Sequence, residues 1–128
     1  MKENIFSKIP KDIPEELFEK IVESKDVKIE RIISRGHTTK EGKWYNQDKN
    51  EFVIVLKGYA VIEYKDIVKD KSLSLDSQRQ TGERLMSVDY GKKIKMNVGD
   101  YLIIPAHVKH KVVKTSDKEE TIWLAVFY

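Results

Sequence analysis

Short apolar stretches recur along the chain, and turn residues separate them. EFVIVL at 51–56 is apolar on both faces, as expected of a buried strand, whereas YAVIEY at 59–64 alternates, with Ala60, Ile62 and Tyr64 on one side. Similar short stretches predict further strands at 94–98, 100–105, 111–114 and 121–128. Many short strands with turns between them and little helix predict an all-β sandwich or barrel.

The N-terminal part of the chain admits two interpretations. The segment PEELFEKIVES at 14–24 has the apolar spacing of a helix, with a proline at its start. It also fits a hairpin with the following β-branched stretch from Val27 to Ile33, because Ser-Lys-Asp at 24–26 is typical of a turn. Residues 1–26 are therefore predicted to be an N-terminal arm or hairpin.

The segment 65–93 separates two groups of predicted strands and is rich in polar residues and poor in apolar ones. It is too long for an ordinary connection, so we expect an insertion, either a mobile flap or an extended hairpin. With 128 residues and a mass of 15.0 kDa, the chain suits one domain, 1–128, with one hydrophobic core.

Composition excludes several classes of function. The net charge is only +3 and no dense basic stripe is present, which argues against a nucleic-acid partner. The absence of cysteine excludes disulfides, thiolate metal sites and cysteine nucleophiles. No window has the run of about 18 apolar residues that a membrane span needs. We expect a cytoplasmic protein without a membrane partner.

Two stretches resemble the two motifs of the cupin superfamily. In GDYLIIPAHVKH, the spacing of Gly99, Pro105 and His110 is that of the second motif, although His107 stands where the family usually has glycine. In EFVIVLKG, Glu51 and Gly58 keep the Glu-x6-Gly half of the first motif.

The His-x-His pair that opens the first motif is replaced in this chain. Depending on the spacer, its two positions fall on Tyr45 and Gln47 or on Trp44 and Asn46. The chain is thus similar to small single-domain bacterial cupins in which this pair is lost. The resemblance implies a cupin double-stranded β-helix, a jelly-roll barrel with an N-terminal arm and a long inter-strand insertion. Because the segment at 14–24 resembles the first arm of a hairpin in that branch, we favour the hairpin over the helix.

The resemblance also implies a site in the mouth of the barrel. Tyr45, Gln47 and Glu51 share the same parity, so on a regular strand all three would point inward. The candidate ligands of a divalent metal such as Zn, Fe, Mn or Ni are Glu51 and His110, with His37 or His107 as the third. Trp44, Tyr45 and Gln47 are candidate pocket residues, whereas core packing is expected of Trp123, Phe127 and Tyr128.

These residues predict a domain that binds a small polar molecule: a sugar, a nucleotide fragment or a carboxylate. With a metal it would act as an isomerase, decarboxylase or dioxygenase, reactions in which a metal polarises an oxygen. The alternatives are a metal-free ligand-binding module and an oligomeric interaction protein. From the resemblance we also expect a homodimer.

Overall fold

The computed structural model describes residues 1–66 and 88–128, and these residues form an all-β fold. The predicted insertion at 65–93 falls mostly outside the described residues, at 67–87. The described strands are β1 (Leu17–Glu23), β2 (Lys28–Ser34), β3 (Glu51–Lys57), β4 (Ala60–Tyr64), β5 (Lys93–Met96), β6 (Tyr101–Ile104), β7 (His110–Thr115) and β8 (Thr121–Phe127).

The strands form two antiparallel sheets. The larger sheet has the order β1-β2-β8-β3-β6, and the smaller has the order β5-β4-β7. Side chains from both sheets form one core, in which Val53 and Trp123 of the larger sheet meet Ile62 and Met96 of the smaller. This arrangement is the jelly-roll barrel that the sequence predicted.

The segment at 14–24 is the first arm of a hairpin, as favoured from the sequence. β1 pairs with β2 in antiparallel register, with Phe18 opposite Ile32, and the register shifts between Lys20 and Val22. This β-bulge inserts one extra residue and changes the side to which later side chains point. The apolar residues of β1 therefore do not alternate regularly.

The other predicted strands are confirmed with small shifts of their ends. The largest concerns the stretch predicted at 94–98, which ends as a strand at Met96. A tight turn follows, in which the Asp100 amide donates to the Asn97 carbonyl and the Asn97 amide donates to the Asp100 carboxylate. Within residues 1–66 and 88–128, no helix has the length and apolar character required to cross a membrane.

Candidate functional site

Glu51 and His110 face each other across the interior of the barrel. Glu51 opens β3 in the larger sheet and His110 opens β7 in the smaller one. The Glu51 Oε1 atom lies 3.6 Å from His110 Nε2, and the two residues are only 6% and 5% exposed. Burying two polar groups away from water is unfavourable unless the protein or a ligand offers them hydrogen-bonding partners. The pair is therefore a candidate centre for a binding site.

Neighbouring groups fix the orientation of the pair. The Nδ1 atom of His110 lies 2.9 Å from the Val108 carbonyl oxygen. Because a carbonyl oxygen only accepts, Nδ1 carries a proton, and in the neutral ring Nε2 presents its lone pair to Glu51. The Gln47 amide donates to Glu51 Oε1 at 2.9 Å.

Tyr45 joins the segment before β3 to the start of β7. Its backbone amide donates to the His110 carbonyl at 2.7 Å, and the His110 amide donates to the Tyr45 carbonyl at 3.2 Å. The two rings stack with centroids 5.6 Å apart. Burial, followed by the negative charge of Glu16, raises the pKa of the Tyr45 hydroxyl, which therefore stays protonated and available as a donor.

Glu16 is a further acidic group at this site, and the sequence motifs did not predict it. Its carboxyl group accepts a hydrogen bond from the buried Ser34 hydroxyl. Burial raises the pKa of Glu16, and the Glu51 carboxylate adds to this, while the Ser34 hydrogen bond and the charge of His37 act in the opposite direction. Carboxyl groups in such different surroundings are suited to different roles in proton transfer.

Two connected spaces lie around these residues. The inner cavity has a volume of about 50 Å³, and its polar lining residues are Glu16, Tyr45, Gln47, Glu51, His110 and Trp123. The outer cleft is much larger, about 410 Å³, and Pro14, His37, Lys40, Lys43 and Trp44 are among its lining residues. Glu16, Phe18 and Tyr45 line both spaces, so they stand where the inner cavity meets the outer cleft.

Trp123 has a polar atom without a partner. The residue is 3% exposed and belongs to the core, as the sequence predicted. Phe127 also belongs to the core, but the same prediction was wrong for Tyr128, which is 47% exposed just after β8 ends. It also lines the inner cavity, and its indole Nε1 has no hydrogen-bond partner in the part of the chain that the structure describes. An unpaired buried N–H costs about 1–3 kcal/mol, a cost that a ligand oxygen accepting from it would remove.

The other candidates from the sequence lie outside the inner cavity. Trp44 lines the outer cleft, with the Lys111 ammonium 4.4 Å from its ring centroid. His37 also lines the cleft, where its Nδ1 accepts from the Arg35 amide. His107 is exposed, and its Nδ1 lies 3.2 Å from Asn46 Oδ1. It has φ of 68°, which explains why glycine is usual at this position of the motif.

This placement bears on the predicted metal centre. Glu51 and His110 have a separation that would suit two adjacent ligands, and the carboxyl group of Glu16 also lines the inner cavity. Neither of the other histidines joins them, and over residues 1–66 and 88–128 no three His, Asp or Glu side chains are grouped to hold a metal ion. The nearby Gln47 offers only a neutral amide, a weak ligand for transition metals. The residues present thus do not fit a centre of two histidines and one carboxylate.

Similarity to solved structures extends over nearly the whole chain. A protein from Ralstonia eutropha JMP134, provisionally named a mannose-6-phosphate isomerase, is 33% identical, with a TM-score of 0.77, and the match covers 99% of this chain and 96% of that one. No family model matches the sequence, and no curated protein matches it either.

Two more distant structures share the fold. A cupin superfamily protein from Desulfitobacterium hafniense DCB-2 is 17% identical, with a TM-score of 0.62 over 93% of this chain and 82% of that one. The Fe(II) form of HppE with an alternative substrate is 14% identical, with a TM-score of 0.61 over 94% of this chain and 53% of that one.

Proposed function

Because the chain belongs to the cupin superfamily, we propose that its barrel binds a small molecule with a carbonyl group beside a hydroxyl group and transfers protons on it. The observation that carries this proposal is the buried Glu51–His110 pair, 3.6 Å apart in an interior that is otherwise largely apolar. A small number of polar groups converging in an apolar cavity is typical of a site that orients a ligand.

The inner cavity offers both kinds of hydrogen-bonding group that such a ligand needs. The Glu51 carboxylate accepts, so it suits a hydroxyl group or an acidic C–H bond. The Trp123 indole N–H and the Tyr45 hydroxyl donate, so they suit a carbonyl oxygen. A ligand that carried only acceptors or only donors would leave half of these groups without partners.

An aldose–ketose isomerisation uses this combination of groups. A base removes the proton from the carbon next to the carbonyl while an acid protonates the carbonyl oxygen, which gives an enediol. The base then returns its proton to the former carbonyl carbon, and the hydroxyl on the other carbon gives its proton to the deprotonated acid, so that the new carbonyl forms there. Glu51, oriented by Gln47 and beside His110, is the proposed base. Glu16, whose pKa is raised by burial, is the proposed acid. The name of the Ralstonia protein supports this class of reaction.

The sizes of the two spaces limit how a substrate binds. At about 50 Å³, the inner cavity is far smaller than the roughly 300–1,000 Å³ of ordinary ligand pockets, so it admits only the reacting end of a molecule. The rest of the substrate would occupy the outer cleft, whose lining includes His37, Lys40 and Lys43 together with the acidic Glu15. The ammonium groups of Lys40 and Lys43 would pair with an anionic end, such as the phosphate of a sugar phosphate, although Glu15 and Glu16 on the same lining balance their charge.

Binding is tested by tryptophan fluorescence. The chain has two tryptophans, so the Trp44→Phe variant keeps Trp123 as its single reporter. Titration with mannose 6-phosphate should change the Trp123 emission in a saturable way. Trp123→Phe, followed by calorimetry, should weaken binding about 5- to 100-fold because one donor to the ligand is lost. Failure of mannose 6-phosphate, fructose 6-phosphate and free mannose to bind would contradict the substrate class.

Turnover is tested by following conversion of mannose 6-phosphate to the ketose by NMR. Glu51→Gln and His110→Ala should each lower kcat by about a hundredfold or more. His107→Asn is the matched control, since it changes an exposed imidazole outside the cavity and asparagine tolerates the same backbone conformation. Equal kcat in the Glu51→Gln variant and the wild type would refute the role of the base. Saturable binding without turnover would identify a binding module.

A further inference from the structure

The smaller sheet carries positive charge on its outward side. The register of β5, β4 and β7 places Val61 and Glu63 of the central strand between lysines of both neighbouring strands. These lysines are Lys93 and Lys95 on β5 and Lys111 and Lys114 on β7, and we call the four of them the lysine face. Four lysines and one glutamate give this side of the sheet a formal charge of +3, which equals the net charge of the whole chain.

This charge lies on one side of the barrel. Six outward residues of β8, β3 and β6 in the larger sheet are all uncharged, namely Phe52, Ile54, Tyr101, Ile103, Leu124 and Val126. On the smaller sheet, the Glu63 carboxylate lies 3.9 Å from the Lys111 ammonium and offsets part of its charge. Lys93, Lys95 and Lys114 are exposed. The outward side of the smaller sheet therefore attracts anions, whereas that part of the larger sheet does not.

Trp44 connects the lysine face with the outer cleft. This residue lines the cleft, and its ring centroid lies 4.4 Å from the Lys111 ammonium and 5.8 Å from that of Lys65. The other end of the lysine face is at Tyr59, where the Lys95 ammonium lies 5.1 Å from the ring centroid. Strand β4 separates the two ends, and its 5 residues span only about 17 Å. All four lysines are therefore close enough to the cleft for their charges to act there at low salt.

The charges of the cleft lining itself nearly cancel. Lys40 and Lys43 lie on the lining together with Glu15 and Glu16. The lining alone thus gives an anionic sugar little advantage over a neutral one. A net attraction for anions requires positive charge beside the cleft, and the lysine face supplies it where it meets Trp44.

We infer that the lysine face selects anionic substrates by attracting them to the mouth of the outer cleft at Trp44. The inference rests on the proposed function, in which the cleft holds the anionic end of the substrate. A phosphate group carries about −1.5 to −2 charges at neutral pH. At about 15 Å in water, one lysine raises the association rate of such a group about 1.5- to 2-fold at low salt and hardly at all at about 0.3 M salt. Because these contributions multiply, the net charge of this face favours a sugar phosphate over the neutral sugar by about three- to eightfold.

Stopped-flow tryptophan fluorescence on the full chain tests the inference, with mannose 6-phosphate as the probe and mannose as its uncharged counterpart. In the wild type, the association rate constant of mannose 6-phosphate should fall about three- to eightfold between about 10 mM and 0.3 M salt, and that of mannose should stay constant. Lys95→Gln/Lys114→Gln removes two charges at the end of the face remote from Trp44. It should lower the association rate constant of mannose 6-phosphate about two- to fourfold at low salt and leave the dissociation rate constant unchanged.

The matched control is Lys2→Gln/Lys8→Asn, which removes the same charge from the N-terminal arm. The Lys8 carbonyl accepts from Arg31, which places this arm on the larger sheet. Asparagine tolerates the left-handed backbone conformation at position 8. This variant should keep the wild-type association rate constant. An equal loss in both double variants would contradict the inference, because the total charge of the protein would then matter rather than its position.

Circular dichroism establishes that each variant is folded, so that a change in rate reports on charge. Saturable binding of mannose 6-phosphate at a rate that changes neither with salt nor in Lys95→Gln/Lys114→Gln would overturn the inference and leave the proposed function standing. The same holds if mannose binds and mannose 6-phosphate does not. If neither sugar binds, both the inference and the proposed substrate class are wrong.

Discussion

Replacing Gly58 with alanine tests how closely the turn between β3 and β4 packs against β8. Gly58 has φ of +77°, and a Cβ atom added there would lie 2.9 Å from Thr121 Cα and 3.0 Å from the Glu120 carbonyl oxygen. It would also lie 2.6 Å from the Thr121 hydroxyl, which is held in place because it donates to the Tyr59 carbonyl. Since two of these atoms are backbone, the overlap cannot be relieved by rotating a side chain.

Gly42 is the matched control for this substitution. It has nearly the same backbone conformation, with φ of +78°, but an added Cβ would meet no atom within 4 Å. Both variants pay the left-handed strain of about 1–2 kcal/mol, partly offset by about 0.4–1 kcal/mol of entropy lost from the unfolded chain. Gly42→Ala should therefore cost at most about 1.6 kcal/mol. Gly58→Ala adds about 1–3 kcal/mol of overpacking, for a total of about 1–5 kcal/mol.

Urea denaturation followed by circular dichroism measures both costs. In a thermal melt, each kcal/mol should lower Tm by about 3–5 °C for a domain of this size. Equal destabilisation of the two variants would refute the argument, because the difference between them depends only on the close approach to β8. A difference of the expected size would give a physical reason for the Glu-x6-Gly spacing, since the chain turns sharply at Gly58 after the strand that carries Glu51.

Three further predictions concern charged groups and metal. The Lys57 hydrogen bond holds the pKa of Glu120 at about 2, below its ordinary value of 4.5. Glu120→Gln should therefore cost about 1 kcal/mol or less at neutral pH after solvent screening. That stability is present above pH 4.5 and is lost as the pH falls toward 2. The difference in the free energy of unfolding between variant and wild type, measured by urea titration, should therefore become smaller between pH 4.5 and pH 2. For Glu16 the free energy of unfolding should depend on pH in the opposite direction, because burial raises the pKa of this carboxyl group. The stability linked to its protonated form is present below pH 4.5 and is lost as the pH rises through the raised pKa. Glu16→Gln should thus melt higher than the wild type at neutral pH and no higher below pH 4.5, and a constant difference across pH would contradict the burial argument. Protein purified without a nickel column should retain far less than one equivalent of Zn, Fe, Mn or Ni after dialysis, measured by elemental mass spectrometry. One equivalent in the wild type that disappears in His110→Ala would instead establish a metal centre.

The strands were predictable because their side chains alternate or cluster in short runs, and because turn residues interrupt them. β1 was the ambiguous element, and its bulge explains why. The shift of register between Lys20 and Val22 breaks the two-residue period, so Phe18, Ile21 and Val22 fall at a spacing that also fits a helix. Pairing with β2 decides the structure, and no local pattern encodes that pairing.

The candidate site was only partly predictable. The spacing of the two motifs indicated that Glu51 and His110 would face each other, and the structure shows that they do. Glu16 was missed because it lies in a polar segment two residues after Pro14 and reaches the cavity only through the pairing of β1 with β2. Trp123 was correctly predicted to lie in the core. The sequence could not predict that its indole N–H lacks a hydrogen-bond partner, because that depends on which groups the fold places around the ring. His107 was misleading as a ligand candidate, since the backbone turn accounts for its position.

The C-terminal end of the described chain borders the proposed site. The backbone of Tyr128 exchanges two hydrogen bonds with Asn50, the neighbour of Glu51. An affinity tag fused to Tyr128 would therefore lie beside the binding groups, whereas Ile5 and Ser7 of the N-terminal arm lie against Arg31 on the outward side of β2. Assays of ligand binding should use protein from which any C-terminal tag has been cleaved.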